Sequence, residues 1–356
     1  MALSFRPCGD FRASYRADTT LFPTRRSLYF CLAGIVLLLS SPLFLNRYGM
    51  TLLIQIGYMG IGALGLNILT GLTGQISLGH AAFFGLGAFA SSYFNNRFGI
   101  PVFFSIPLAG LLATGVGMIF GAPAARIKGL YLAIATLAAQ YILEDFFARA
   151  PWFTGGVAGA HAAPVSLFGY LLDSETKYFY FVVAWMIWLY VYASNLLRSR
   201  DGRAFVAVRD HDIAAEIMGV NLAGYRILAF GISSFYAGVA GALMGHYLGF
   251  VSTESISILM SIQFIGMIII GGLGSVMGSL MGTAFMVLLP EALEGLVALM
   301  KAASLITSPG ILNGLNFMRE ALIGLVIVLF LMFEPDGLAH RWRLIKAYWK
   351  LYPFPH

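Results

Sequence analysis

RSRDGRAFVAVRDHDIAAEIMGVNLAGYR, residues 198–226, is a polar interruption between two long apolar runs. Five of its residues are basic: Arg198, Arg200, Arg203, Arg209 and Arg226. The stretch predicts a short helix, because Asp210 is a favourable N-cap residue and Gly219 suits the position after a helix end. One face of this helix would carry Ile213, Ala214, Ile217 and Met218. Such a helix between two membrane spans is suited to docking a soluble partner, and the competing interpretation is an ordinary cytoplasmic loop.

The composition of the whole chain indicates a membrane protein. Of its 356 residues, 59% are hydrophobic and 11% are charged, whereas a soluble domain carries about 25% charged residues. The net charge of +6 does not indicate nucleic-acid binding, because the basic residues lie between apolar runs. Cys8 and Cys31 are too few for a disulfide framework or a metal site. No cofactor is expected.

Apolar runs long enough to cross a bilayer recur along the chain. A span needs about 20 such residues, and the runs predict ten approximate spans: 28–45, 51–70, 76–94, 101–121, 129–148, 178–197, 227–249, 256–272, 276–298 and 319–334. We therefore predict an all-α polytopic membrane protein. Its transmembrane domain covers residues 28–340, with the loop at 198–226, and cytoplasmic tails occupy 1–27 and 341–356. The Gly-rich part of 256–298 could contain broken or re-entrant helices.

The distribution of basic residues predicts the orientation of these spans. With ten spans and a cytoplasmic N-terminus, the cytoplasmic side holds 16 of the 22 basic residues. They are Arg6, Arg12, Arg16, Arg25, Arg26, Arg126, Lys128, the five arginines of 198–226, Arg341, Arg343, Lys346 and Lys350. The outer side keeps Arg47, Arg97, Arg149, Lys177, Lys301 and Arg319. This asymmetry favours an even number of spans and a cytoplasmic 198–226 loop.

A second unusual stretch is GLTGQISLGH, residues 71–80. Polar, Gly-broken backbone at membrane depth must be buried in protein or line a cavity. Hydrogen bonds to a polar solute could come from Thr73, Gln75, Ser77 and His80, which are the candidate residues of the translocation pathway. The alternative is a tight turn between two spans.

Several motifs that would indicate other functions are absent or out of context. Gly60, Gly62 and Gly65 match a dinucleotide-binding pattern but lie inside an apolar span, where close helix packing explains them. Asp210, His211, Asp212 and Glu216 do not converge on one point of a helix, which disfavours metal binding. The chain contains no P-loop sequence for ATP, and no paired catalytic groups support a membrane-embedded enzyme.

Five segments together resemble the permease subunits of branched-chain amino acid ABC importers, in particular the larger of the two paired permeases, the LivM type. The segments are residues 64–91, 128–137, 202–221 leading into 235–241, 249–282, and EPDGL at 334–338. The likeness covers roughly residues 50–340. It departs from the family pattern at VAGA, residues 157–160, which leaves the exact solute open.

The resemblance implies a type II-like ABC importer bundle with a cytoplasmic coupling helix. Carried over by position, the contact with the ATPase would involve Gly202, Arg203, Ala204, Arg209, Glu216, Gly219 and Val220, and the helix derived above adds Asp212 and Ala214. The implied partners are a second permease of the LivH type, two cytoplasmic ATPases, a periplasmic solute-binding protein and membrane lipid. The implied location is the bacterial inner membrane.

We therefore expect a transport subunit without covalent chemistry, whose alternating access is driven by partner ATPases and whose solute is leucine, isoleucine or valine. Urea, short amides or other amino acids are alternative solutes, because related permeases serve them. The rival from another class is a self-sufficient secondary carrier or channel, in which 198–226 is only a loop. Recovery of a P-loop ATPase with the purified chain would separate these hypotheses.

Overall fold

The computed structural model describes residues 25–127, 129–167, 170–172, 174–302, 321, 324–334 and 336–351. Residues 1–24 of the expected tail 1–27 and most of the expected outer segment 299–318 lie outside the described residues, and the last three tail residues begin a helix. Helices account for most of the described chain, which agrees with the predicted all-α class. Four two-residue strands, which the sequence did not predict, form two small antiparallel pairs: β1 Ala160–His161 with β4 Phe250–Val251, and β2 Ser166–Leu167 with β3 Tyr170–Leu171.

The long apolar helices follow the predicted apolar runs, and shorter or more polar helices lie between and after them. In chain order they are α1 Arg25–Ser40, α2 Arg47–Leu66, α3 His80–Phe98, α4 Val102–Ala124, α5 Leu130–Arg149, α6 Pro151–Thr154, α7 Glu175–Arg198, α8 Arg200–Asp210, α9 Asp212–Ile217, α10 Leu222–Leu248, α11 Ile258–Gly271, α12 Val276–Ala302, α13 Gly324–Phe333 and α14 Gly337–Leu351. A π-helical segment, Asn67–Leu72, extends α2. Short 3₁₀ turns lie at Ser41–Leu43 and Gly156–Ala158.

Six segments of the described chain are long and apolar enough to cross a membrane by length and composition. They are Arg47–Leu72, Val102–Pro123, Leu130–Arg149, Glu175–Arg198, Leu222–Leu248 and Val276–Gly295. Shorter apolar helices lie at Cys31–Leu43, Ile258–Gly271 and Gly324–Phe333. The chain is thus a multi-pass membrane protein, and the number ten stays a prediction.

The long helix α10 forms the centre of the bundle, with α2, α3 and α4 packed around it. Its glycines allow this packing. A Cβ atom on Gly241 would lie 1.8 Å from the carbonyl oxygen of Phe84, and one on Gly87 would lie 2.1 Å from that of Gly238. The predicted role of small residues in close helix contact is confirmed at this crossing. Most of α2 and α10 is buried, whereas α4, α5, α7 and α12 bury less than half of their apolar windows.

Three non-helical segments interrupt the bundle. Residues 74–79 join the π-helical segment to α3, residues 252–257 precede α11, and residues 272–275 form a turn between α11 and α12. At 14 residues, α11 is about 21 Å long, which is shorter than the roughly 30 Å hydrocarbon core of a bilayer. The short length of α11 agrees with the expectation of broken or re-entrant helices in the Gly-rich region, which stays a prediction.

Candidate coupling surface and translocation segment

The 198–226 stretch is almost entirely helical and forms two short helices, α8 and α9, where the sequence predicted one. The apolar side chains of α9 and its end point outward: Ile213 is 70% exposed, Ile217 80% and Met218 85%. We call these three residues the docking face. Exposed apolar clusters of this kind, rimmed by polar residues, mark interaction sites.

The ends of α9 are only partly as predicted. Gly219 has φ +84° and follows the helix end, where the backbone N–H of Val220 donates to the carbonyl of Ala215 at 3.0 Å. This confirms Gly219 as the residue that stops the helix. Asp210 as N-cap is wrong, because Asp210 ends α8 and accepts a 2.8 Å hydrogen bond from Arg209 Nε, while His211 holds the N-cap position.

The predicted coupling residues divide into exposed and buried groups. Arg203, Ala214, Glu216 and Gly219 are exposed and Val220 is half-buried. Together with Met218 and Tyr225, four of the predicted coupling residues line a surface groove: Arg203, Ala204, Gly219 and Val220. This part of the stretch is accessible to a partner.

Gly202 and Ala204, which were expected in the contact, are buried in the structure, although Ala204 lines the same groove. A Cβ on Gly202 would lie 2.1 Å from the carbonyl oxygen of Leu196, so this glycine lets α8 turn closely against the end of α7. Its N–H donates to Ser199 Oγ, the N-cap of α8, at 3.1 Å. Gly202 therefore shapes the turn between α7 and α8, and its role as a contact residue stays a prediction.

Arg209 and Asp212 connect the stretch to the membrane helices. Arg209 Nη1 donates to the carbonyl oxygen of Gly71, in the π-helical segment, at 2.8 Å. Asp212 Oδ2 lies 3.2 Å from Arg226 Nη2, and Arg226 Nη1 donates to the carbonyl of Ala125, at the end of α4, at 2.9 Å. Arg209 of α8 thus contacts the π-helical end of α2, and Asp212 of α9 contacts the end of α4 through Arg226.

Asn67, which the sequence analysis missed, joins the π-helical segment to the 272–275 turn. Its Nδ2 donates to Ser275 O at 2.8 Å and to Ser279 Oγ at 2.7 Å, while its Oδ1 accepts from the N–H of Gly274 at 2.8 Å. Gly71 packs against the same turn, because a Cβ there would lie 2.3 Å from Gly274 N. Arg209 thus contacts the place where the π-helical end of α2 packs against the turn between α11 and α12.

The four predicted pathway residues are all buried, but they do not form one group. Thr73 and Gln75 lie together beside the end of the 198–226 stretch. Gln75 Nε2 donates to Thr73 Oγ1 at 2.7 Å and approaches Arg226 O at 3.5 Å. Gln75 Oε1 is buried without a hydrogen-bond partner. Ser77 is 1% exposed. His80 lies deeper, with Nε2 2.8 Å from Gly62 O and its ring edge-on to Phe264.

Two residues of α5, also missed, support the broken backbone. Thr136 Oγ1 accepts from Leu78 N at 3.0 Å, and Gln140 Oε1 accepts from Ala82 N at 2.8 Å. Gln140 Nε2 also donates to Ile256 O at 3.3 Å, so one amide serves both the start of α3 and the 252–257 segment. The spacing of four residues between two polar side chains in an apolar helix is the signal that could have identified them.

Six apolar helices long enough to cross a membrane, with an exposed pair of short helices between two of them, define a polytopic membrane protein. Comparison with known proteins is more specific: residues 49–331 match the family described as "Branched-chain amino acid transport system / permease component". The chain belongs to this family, as the resemblance predicted. Its members are transport permeases, so the prediction that the chain is not an enzyme is also confirmed.

Individual relatives agree with this assignment. The chain is 28% identical over 339 residues to the high-affinity branched-chain amino acid transport system permease protein LivM of Salmonella typhimurium, covering 88% of this chain and 75% of that protein. It is 25% identical over 315 residues to a probable LivM of Methanocaldococcus jannaschii, covering 81% and 88%. The ribose import permease protein RbsC of Haemophilus influenzae is 25% identical over 277 residues, covering 74% and 82%. No solved structure matches significantly.

Proposed function

We propose that this chain is the transmembrane permease subunit of an ATP-driven importer of branched-chain amino acids. Its partners would be a second permease of the LivH type, two cytoplasmic ATPases and a periplasmic solute-binding protein. It would cross the bacterial inner membrane ten times, with both termini in the cytoplasm. The names of the LivM relatives support the solute class, and the distribution of basic residues supports the orientation.

One observation supports the coupling mechanism. Arg209, which precedes the docking face in the chain, donates a hydrogen bond to Gly71 in the π-helical end of α2. Ile217 is on the exposed side of α9, while Arg209, just before α9, contacts Gly71. Closure of the ATPases would displace α8 and α9 together. The displacement would reach the 272–275 turn through Gly71 and Asn67, and rigid-body movement of the attached helices would alternate access to the pathway.

The pathway itself would follow the non-helical segments. Leu78 of the 74–79 segment bonds to Thr136, and Ile256 of the 252–257 segment bonds to Gln140, one turn further along α5 and about 15 Å from Leu130. Non-helical backbone at such depth is tolerated where it is buried in protein or lines a cavity. Thr73, Gln75, Ser77 and His80 remain the proposed pathway residues, and we add Thr136 and Gln140.

A purified complex tests the coupling assignment. Ile217→Asp places a charge in the docking face, and it should abolish recovery of a P-loop ATPase with the tagged permease in gentle detergent. The matched control is Val157→Asp, because Val157 is 73% exposed but lies in the segment that we place outside. Equal ATPase recovery with both variants would contradict the proposal.

Uptake by the reconstituted complex tests the solute and the energy source. Labelled leucine, isoleucine and valine should enter vesicles only when ATP and the binding protein are supplied, and labelled urea should not. Uptake of urea or another amino acid in their place would change the solute class. Uptake by the lone chain in an ion gradient would favour a secondary carrier.

A further inference from the structure

The C-terminal helix α14 has two chemically different sides. Leu338, Trp342 and Ile345 recur at spacings of four and three residues, so they share one face, and Leu344 and Tyr348 extend its apolar side. Arg341 also lies on this side, where it is paired with Glu334. The other side carries Arg343, Lys346 and Ala347. The helix sequence, GLAHRWRLIKAYWKL, contains no acidic residue. It is therefore a basic amphipathic helix, which the sequence analysis had treated only as a tail from residue 341.

Only the first turn of α14 packs inside the bundle. Gly337, with φ +70°, is buried, and a Cβ there would lie 2.5 Å from Gly272 N. Ala339 is 5% exposed. Between residues 341 and 348 all side chains except the half-buried Ala347 are exposed, including Trp342 at 43%, Ile345 at 50% and Tyr348 at 60%. The apolar face therefore continues beyond the part that the bundle covers.

The start of α14 packs near the π-helical segment that Arg209 contacts. Gly272, on which Gly337 packs, belongs to the turn whose Gly274 bonds to Asn67. Arg341 forms an ion pair with Glu334, which follows the end of the apolar helix α13 by one residue. Because α14 begins so soon after an apolar helix, its exposed part leaves the bundle close to the surface of the bilayer.

We propose that α14 lies along the membrane surface and binds anionic phospholipid headgroups. Trp342, Ile345 and Tyr348 would enter the boundary between headgroups and acyl chains, where amphipathic aromatic rings are favoured. Arg343 and Lys346 would face the lipid phosphates, to which juxtamembrane basic residues are attracted. Lys346 Nζ lies 5.4 Å from the Trp342 ring centroid, so its stem can follow the ring while its ammonium reaches the headgroups.

Fluorescent labels on the full-length chain test this placement. In a background with Cys8→Ser and Cys31→Ser, Ile345→Cys reports the apolar face and Ala347→Cys the opposite side. Each is labelled with an environment-sensitive dye in nanodiscs of phosphatidylcholine with or without phosphatidylglycerol. With the anionic lipid, the label at 345 should be blue-shifted and protected from iodide, while the label at 347 stays accessible.

Charge removal tests the lipid specificity. One basic residue near an anionic surface changes the partitioning of a helix onto that surface about fivefold. Arg343→Gln with Lys346→Gln should therefore lower the ratio of surface-bound to detached α14, reported by the label at 345, roughly 25-fold. The control, Arg97→Gln with Lys177→Gln, removes the same charge elsewhere and should change nothing. Equal iodide quenching at 345 and 347 in anionic nanodiscs would overturn the proposal. Protection at 345 only after ATPase is added would overturn it in favour of a protein partner.

Discussion

Arg209 Nη1 donates a 2.8 Å hydrogen bond to the carbonyl oxygen of Gly71, although the two residues are 138 positions apart. The Arg209 side chain is 35% exposed, and its Nε also donates to Asp210. The guanidinium therefore connects the polar stretch between α7 and α10 to the π-helical end of α2. We propose that a residue in this position transmits movement rather than forming the ATPase contact itself.

Arg209→Ala should separate docking from transport. Because the docking face is untouched, the variant should still recover the ATPase, while ATP-driven uptake falls about tenfold or more after loss of a charged hydrogen bond, which is typically about 1.5–3 kcal/mol. Both are measured on one purified complex. Arg126→Ala, which removes a neighbouring cytoplasmic arginine in the proposed topology, is the control. Loss of ATPase recovery with Arg209→Ala would instead assign Arg209 to the contact.

Asn67→Ala should uncouple the π-helical segment from the 272–275 turn. It removes three hydrogen bonds and leaves the N–H of Gly274 without its acceptor, and a buried donor without a partner costs about 1–3 kcal/mol. We expect a lower unfolding temperature and slower uptake. Ser279→Ala removes only one of the three bonds and should have a clearly smaller effect. Equal effects would show that the Gly274 contact does not matter.

Gln140→Leu should destabilise the middle of the bundle. The amide links Ala82 N and Ile256 O, and leucine can replace neither hydrogen bond. The expected cost is about 1–3 kcal/mol, because Ile256 O loses the bond from Gln140 while Ala82 N keeps only its 3.3 Å bond to Gly79 O. It should be seen as a lower unfolding temperature in detergent and reduced uptake. Tyr141→Leu is the neighbouring control, because Tyr141 is 54% exposed on the outer side of α5. A normal unfolding temperature for Gln140→Leu would remove Gln140 from this role.

The sequence predicted features that depend on local chemistry. Apolar run length located the helices, and Gly219 was identified because a left-handed residue commonly ends a helix. Features set by distant contacts were missed: Asn67 meets Gly274 across 207 residues, and nothing near Asn67 in the sequence indicates that turn. The burial of Gly202 was missed for the same reason, because it depends on how closely α8 folds back on α7. A single sequence records polar residues in apolar runs, but not their partners.

Gly241→Ala and Gly115→Ala should differ in the sign of their effects on stability. Both glycines lie within helices, α10 and α4, where alanine is favoured over glycine by about 1 kcal/mol. A Cβ on Gly115 would meet nothing within 4 Å, whereas one on Gly241 would lie 1.8 Å from the backbone oxygen of Phe84. Gly115→Ala should therefore raise or preserve the unfolding temperature of the purified chain. Gly241→Ala must separate α3 from α10 and should cost about 1–3 kcal/mol, as overpacked cores do. If Gly241→Ala were as stable as Gly115→Ala, the two helices would not be in the close contact on which the positions of Gly87, Gly238 and the start of α3 depend.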